Sequence, residues 1–307
     1  MPSLQAQLDS TCRSIQHEIG VGAVADYIPA LAQVPADKFG AAVITMTGEK
    51  AAFGAAQEAF SIQSISKLFA LTSVLNLRGM DIWNRVGREP SGNAFNSIVQ
   101  LEQECGIPRN PFINAGALVV TDALLDNQTV ESSSATLLTL VQSLAQDSSI
   151  EIDEVVAQSE RDTAYRNASL AHFMQSFKNM QRPVSDVLDL YCRQCAIAMN
   201  CEQLARSVLF LANNGTDPLT NESIVNEERA RRLNALMMLC GHYDASGDFA
   251  FRVGLPGKSG VGGGIIVVVP DTAAVAVWSP CLNANGNSHA GTAALEALVR
   301  ATNWNVL

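Results

Sequence analysis

Two short strings carry residue types suited to chemistry. The first is Ser64-Ile65-Ser66-Lys67, at the start of an apolar run (Ile65, Leu68, Phe69, Leu71) with helical spacing. Positions i and i+3 of a helix share a face, so the Ser64 hydroxyl and the Lys67 amine can meet. The first turn of a helix also offers free backbone N–H groups and favours negative charge. A serine nucleophile needs both things, a nearby base and a donor-rich corner. Alone the string is weak. With 25 Ser and five Lys in the chain, an SxxK arises by chance roughly 0.4 times.

The second string, Lys258-Ser259-Gly260, sits just ahead of the last strand signals. An SxxK early and a K-[ST]-G late on a strand edge is the pattern of the penicillin-recognising enzymes. Its logic is a cleft between a helix N-terminus and a sheet edge. The residue after the triad, here Val261, offers one backbone N–H, and Ser64 offers the second oxyanion donor from its own. Gly257-Lys258-Ser259 also invites a phosphate-loop reading, which fails. The position five before Gly257 is Arg252 rather than Gly, and a β-branched strand follows where a helix is needed.

These residues need elements to position them. Ala41 to Met46 reads as a strand turning at Thr47-Gly48 into a partner over Lys50 to Gly54. Ile265 to Val269, a Pro270-Asp271 turn and Ala273 to Trp278 read as a second hairpin, with Val261 on the strand that Lys258-Ser259-Gly260 opens. Leu4 to Ile19 and Thr292 to Thr302 read as helices able to cover one sheet face. Between the ends, helical periodicity marks Ile65–Leu77, Asn114–Leu125, Ala135–Ala145, Val184–Met199, Glu202–Asn213 and Arg229–Leu239. Strands first and last with helices inserted do not suit a doubly wound parallel sheet. The expected fold is one mixed α/β domain over residues 1–307. Its antiparallel sheet is built from about 1–60 and 245–307, with a helical part over about 61–244.

The chain has 307 residues, 48% of them apolar and 16% charged, enough for a large buried core. Twenty basic against thirty acidic side chains give a formal charge of −10. That balance argues against a nucleic-acid groove and against a polybasic membrane patch. The greasiest run, Ile265 to Val269, is too short to span a bilayer, and no secretory signal is visible at the N-terminus, so a cytoplasmic protein is expected. Seven scattered cysteines do not make a secreted disulfide framework. Cys192-Arg193-Gln194-Cys195 lies in a helical pattern with no second ligand pair, so it reads as structural or incidental. His17, His172, His242 and His289 lack metal spacing, and no cofactor is implied.

Longer strings sharpen the picture. Val24 to Pro29 (VADYIP), Phe60 to Lys67 (FSIQSISK), Asn110 to Ala117 (NPFINAGA), Ser159-Glu160 with Arg166-Asn167-Ala168, Leu190-Tyr191 and Val253 to Gly264 (VGLPGKSGVGGG) resemble the bacterial serine-dependent glutaminases. The resemblance spans nearly the whole chain, from about residue 20 to the last strand. It implies a β-lactamase-like fold that hydrolyses L-glutamine to L-glutamate and ammonia through a γ-glutamyl-serine. It further implies Ser64 as nucleophile, Lys67 as general base, Tyr243 as proton relay and the Ser64 and Val261 amides as oxyanion hole. Asn114, Glu160, Asn167 and Tyr191 fall where the family contacts the α-amino and α-carboxylate groups, and Tyr27 where a further hydroxyl borders the site. Related bacterial enzymes look like homotetramers.

The residues themselves allow plainer roles. Tyr27 and Tyr191 could be half-buried aromatics, Asn114 a helix N-cap and Glu160 a solvated face. Their joint register with the family outweighs those roles. A free amino acid presents a cation and an anion, which calls for a carboxylate such as Glu160 beside neutral donors. Glu160 and Asn167, two turns apart, share a face if that stretch is one helix. An ordinary lysine titrates near about 10.4, so Lys67 needs burial or a cationic neighbour, for which Lys258 is the candidate. Tyr165-Arg166-Asn167 and Ser91-Gly92-Asn93 both match the middle motif of penicillin-type enzymes, which leaves Tyr165 as an alternative relay. The rivals are a penicillin-type hydrolase and a catalytically idle scaffold.

Overall fold

The computed structural model describes residues 2–92 and 94–306. The strands are β1 (Gly40–Thr45), β2 (Lys50–Gly54), β3 (Phe60–Ser61), β4 (Glu151–Ile152), β5 (Ile197–Met199), β6 (Gly257–Ser259), β7 (Gly264–Val269) and β8 (Ala273–Trp278). The first helices are α1 (Leu4–Ser14), α2 (Ser66–Arg78), α3 (Val99–Gln103), α4 (Asn114–Leu125), α5 (Val130–Ala145) and α6 (Glu154–Asp162). They are followed by α7 (Tyr165–Ser176), α8 (Val184–Cys195), α9 (Cys201–Ser207) and α10 (Leu209–Ala212). The last three are α11 (Glu227–Cys240), α12 (Ser246–Val253) and α13 (His289–Thr302).

Five strands from the two chain ends form one antiparallel sheet in the order β2-β1-β8-β7-β6. The Gly-Ile-Ile-Val-Val-Val run of β7 is buried along its length, as a strand covered on both faces must be. Strand alternation sorts its residues. Ile265, Val267 and Val269 join Ala41, Val43, Val275 and Val277 in a core with Leu4 and Leu8 of α1 and Leu295 and Leu298 of α13. Ile266 and Val268 join Ala42, Ile44 and Ala276 on the opposite face, against the helical part. The expected architecture is therefore present: a mixed α/β fold with an antiparallel sheet from both ends and helices inserted between them.

Several local expectations need correction. The run expected as one helix over Val184–Met199 ends at Cys195, and Ile197–Met199 becomes β5, the centre of a small sheet ordered β3-β5-β4. Backbone pairing of β5 with Phe60-Ser61 and Glu151-Ile152 overrides the continued helical spacing. Glu202–Asn213 is split between α9 and α10 at Val208, and Leu4–Ile19 stops at Ser14 before a short 3-10 turn. Lys258 and Ser259 lie in a separate edge strand, β6. Val261 sits in the turn between β6 and β7 rather than on a strand. Glu160 and Asn167 are on two helices, α6 and α7, broken at Thr163-Ala164.

Candidate active site

The site lies where the small sheet, the start of α2 and the edge strand β6 meet. Ser64 occupies a 3-10 turn, Gln63–Ile65, that runs directly into α2. Gln63 holds a left-handed backbone (φ 49°), a conformation rare for residues other than glycine, which turns the chain sharply out of β3. The β6–β7 turn closes over this corner. A Cβ on Gly260 would stand 2.5 Å from the Ile62 carbonyl oxygen and 3.2 Å from the Ser64 nitrogen. Only glycine lets the strand end approach the serine backbone so nearly. Val261, the next residue, is buried beside it and lines a cleft of about 300 Å³ with Tyr27, Phe95, Asp244 and residues 282–286.

Lys67 follows Ser64 by three residues and is buried. Its Nζ donates to the Asn114 Oδ1 at 2.8 Å and to the Phe112 carbonyl at 3.1 Å, and lies 5.8 Å from the Tyr191 ring centre. Burial disfavours the ammonium and brings its pKa down to about 8, partly offset by attraction to Glu160. The partner Asn114 opens α4 through a local device. Asn110 Oδ1 accepts the Phe112 and Ile113 N–H groups at 3.0 Å each, which fixes the turn ahead of the helix. Gly116, two residues further on, has no space for a Cβ because the Asn110 carbonyl oxygen would lie 1.8 Å from it.

Lys258 is buried too, but it is tied to backbone. Its Nζ donates to the Gly241 carbonyl at 3.1 Å and to the Ser259 carbonyl, and lies 4.7 Å from the Tyr243 ring centre. Burial is the main force that lowers both lysines, and the two ammonium groups also disfavour one another. Tyr243 has a left-handed backbone (φ 58°), which delivers its side chain between the two strings that carry Ser64 and Ser259. Its hydroxyl lies 3.5 Å from the Ser259 carbonyl, and burial raises it to about 12, offset by hydrogen bonding with Ser64 and Ser259. At neutral pH it is a protonated donor.

Opposite these groups lies a second buried polar set. Asn114 Nδ2 donates to Asn167 Oδ1 at 2.9 Å, and the Tyr191 hydroxyl is 3.4 Å from Asn114 Oδ1. Gln63 Nε2 donates to Glu160 Oε2 at 3.3 Å and to the Ser61 hydroxyl at 2.9 Å. Glu160 is only 6% exposed, and burial raises its carboxyl to about 7, with Gln63 and Lys67 pulling it down. Such a carboxylate lacks a full counter-charge and suits a bound cation.

The structure brings together Ser64, Lys67, Asn114, Glu160, Asn167, Tyr191, Tyr243, Lys258, Ser259, Gly260 and Val261. Tyr27 stands half exposed at the mouth. Tyr165 is 80% exposed and is not brought in, and Asn93, of the Ser91-Gly92-Asn93 string, lies outside the described residues. Asn114 is not an N-cap but the first residue of α4, turned toward Lys67. Two further neighbours have no site role in the sequence reading: Gln63 donates to Glu160, and the Phe95 ring packs 4.8 Å from that of Tyr243.

A serine at the entrance of a buried helix, with a lysine one turn on and a strand edge laid across it, defines a serine hydrolase of the β-lactamase-like class. Within that class the chain belongs to the glutaminase family, whose model matches residues 22–307. A glutaminase of Rhizobium johnstonii is 57% identical over 306 residues, covering 100% of this chain and 99% of the relative. A solved probable glutaminase matches with a TM-score of 0.92 and 34% identity over 98% of each chain. The Bacillus subtilis glutaminase, solved as a covalent complex with 5-oxo-L-norleucine formed by reaction with 6-diazo-5-oxo-L-norleucine, matches with a TM-score of 0.90. It is 29% identical, over 99% of this chain and 100% of that one. The protein is an enzyme, a hydrolase of the glutaminase type. Among the described residues no helix is long and apolar enough to cross a membrane.

Proposed function

We propose that the protein hydrolyses L-glutamine to L-glutamate and ammonia through an acyl-enzyme on Ser64. Lys67 takes the Ser64 proton as the oxygen adds to the side-chain carbonyl of glutamine. A lysine near about 8 is neutral often enough at mildly alkaline pH to do this, as an ordinary lysine is not. The backbone N–H groups of Ser64 and Val261 receive the oxyanion. Tyr243 passes a proton to the departing nitrogen, the C–N bond breaks and ammonia leaves. Water then adds to the γ-glutamyl ester, giving its proton back through Lys67 and Tyr243, and glutamate is released with Ser64 restored.

On this reading Glu160 holds the α-ammonium, while Asn114, Asn167 and Tyr191 hold the α-carboxylate end and Tyr27 borders the mouth. Lys258, Ser259 and Gly260 support the strand edge. The observation that carries it is the closure of Gly260 onto the Ser64 backbone beside the buried Glu160. The covalent complex of the Bacillus subtilis relative supports a covalent route. We further infer one catalytic domain working as a homotetramer in the cytoplasm. Ammonia release from glutamine and asparagine, wild type beside Ser64→Ala, tests the function. Glutamine turnover that disappears in the variant is expected. A protein silent on glutamine that opens nitrocefin instead would overturn the reading.

A further inference from the structure

The turn that carries Val261 is built almost wholly of glycine, and a side chain from outside it holds one of its carbonyls. Residues 260–263 form a tight turn in which the Gly263 N–H donates to the Gly260 carbonyl at 3.0 Å. The Gly262 carbonyl accepts the indole N–H of Trp278 at 3.0 Å. These two bonds are linked. The Gly262 C=O and the Gly263 N–H are opposite sides of one planar trans peptide, so holding the oxygen aims the hydrogen. The Gly260 C=O and the Val261 N–H are the two sides of another. With that oxygen turned toward Gly263, the Val261 N–H points the other way, out of the turn. Among the described residues it donates to no other group.

We propose that Trp278 is a positioning residue for the oxyanion hole. Its indole N–H acts through the Gly262–Gly263 peptide and the Gly260 carbonyl to orient the Val261 N–H. The inference rests on the reading that the Val261 amide is an oxyanion donor. The anchor is itself well fixed. Trp278 ends β8, is 1% exposed and pairs with Gly264 of β7. Its ring stacks on that of Phe60 in β3, with centres 4.8 Å apart and planes 1° apart. Phe60 fills the space beside Gly264, where a Cβ would stand 2.7 Å from its ring. Phe60 also opens the string that runs to Ser64 and Lys67, so one stack braces both chain segments that supply the oxyanion donors. The remaining hydrogen bonds of the turn are made by backbone, from the Gly260 N–H to the Gly264 carbonyl at 2.9 Å and from the Ser279 N–H to the Gly263 carbonyl at 3.0 Å. Neither acts on the Gly262 carbonyl, and a peptide between two glycines turns easily once that oxygen is released. Hydrogen bonds in a chain also polarise one another, which strengthens the last donor as well as aiming it.

The test compares glutamine kinetics of the wild type with those of Trp278→benzothienylalanine, an isostere with sulfur where the indole has N–H, and of Trp278→Phe. Acylation and deacylation both pass through an oxyanion. In the isostere kcat is therefore expected to fall about tenfold, part of the roughly 10²- to 10³-fold that one oxyanion donor contributes. KM for glutamine and the inhibition constant of glutamate, which report ground-state binding, stay within about twofold of wild type. Trp278→Phe, which also shrinks the stack, loses at least as much turnover. An isostere as fast as wild type overturns the proposal, as does one whose KM and glutamate inhibition constant rise in step with the loss. Replacing Val261 by its α-hydroxy acid, which exchanges the N–H for an ester oxygen, separates the two readings. Full turnover there would remove the oxyanion assignment itself, whatever Trp278 does. If Trp278→Phe does not fold, the isostere, which keeps the shape of tryptophan, decides.

Discussion

The start of α2 and the edge of β6 each bury a lysine, and they bury it differently. Lys258 spends its donors on the carbonyls of Gly241 and Ser259 and lies against the rings of Phe112 and Tyr243. Those partners are fixed by the end of α11 and by the strand, so the lysine fastens two elements together. Lys67 meets one carbonyl and one side chain, Asn114, which is itself held by Asn167. Its amine can exchange a partner without unmaking any element. On the proposed mechanism, two residues of the same type and the same burial thus divide into a clamp and a base, and the partners, not the burial, make the difference.

Substitutions can break that comparison. The largest effect is expected at Ser64: Ser64→Ala lowers kcat by at least about a thousandfold, measured as ammonia release, because no other group forms the ester. Lys67→Ala lowers kcat by roughly 10²- to 10⁴-fold with only modest loss of thermal stability. Lys258→Met should reverse the balance. It leaves the carbonyls short of a donor and costs about 1–3 kcal/mol in denaturant unfolding, with a smaller loss of turnover than at Lys67. Equal kinetic damage at both lysines would erase the distinction.

Much of this arrangement is legible in the amino-acid sequence, and the rest is not for physical reasons. β7 and β8 are long apolar runs around a Pro270-Asp271 turn, and α4 opens at Asn114 as its periodicity requires. β3, β4 and β5 are two or three residues long, too short for alternation to register, and exist through their pairing with one another. The Cys192-Arg193-Gln194-Cys195 string reads as structural or incidental, and spacing does not reveal that Cys195 ends α8 with its carbonyl accepting the Ser61 hydroxyl. Gln63 lies inside the FSIQSISK string, but its role depends on a backbone φ that spacing does not reveal. Tyr165 fits a motif by letter and faces solvent.

A subtler prediction concerns stability. Glu160 is raised from an ordinary carboxyl value of 4.5 to about 7 on folding. An acid whose folded pKa is raised binds its proton more tightly when folded, so stability falls as pH climbs from 4.5 through 7. Glu160→Gln should therefore unfold at higher denaturant than wild type at pH 8, by about 1–3 kcal/mol, while its KM for glutamine rises roughly tenfold or more. Below pH 4.5 the two proteins should converge in stability. A variant less stable than wild type at pH 8 would mean the carboxylate is fully compensated in the empty site.

The central claim is that one oxygen, on Ser64, bonds to the substrate carbon. Peptide mapping by mass spectrometry after reaction with 6-diazo-5-oxo-L-norleucine tests it most directly. The account expects a single adduct on the peptide carrying Ser64, protected by glutamine and lost in Ser64→Ala. An adduct on another residue, or labelling that survives the substitution, would contradict it.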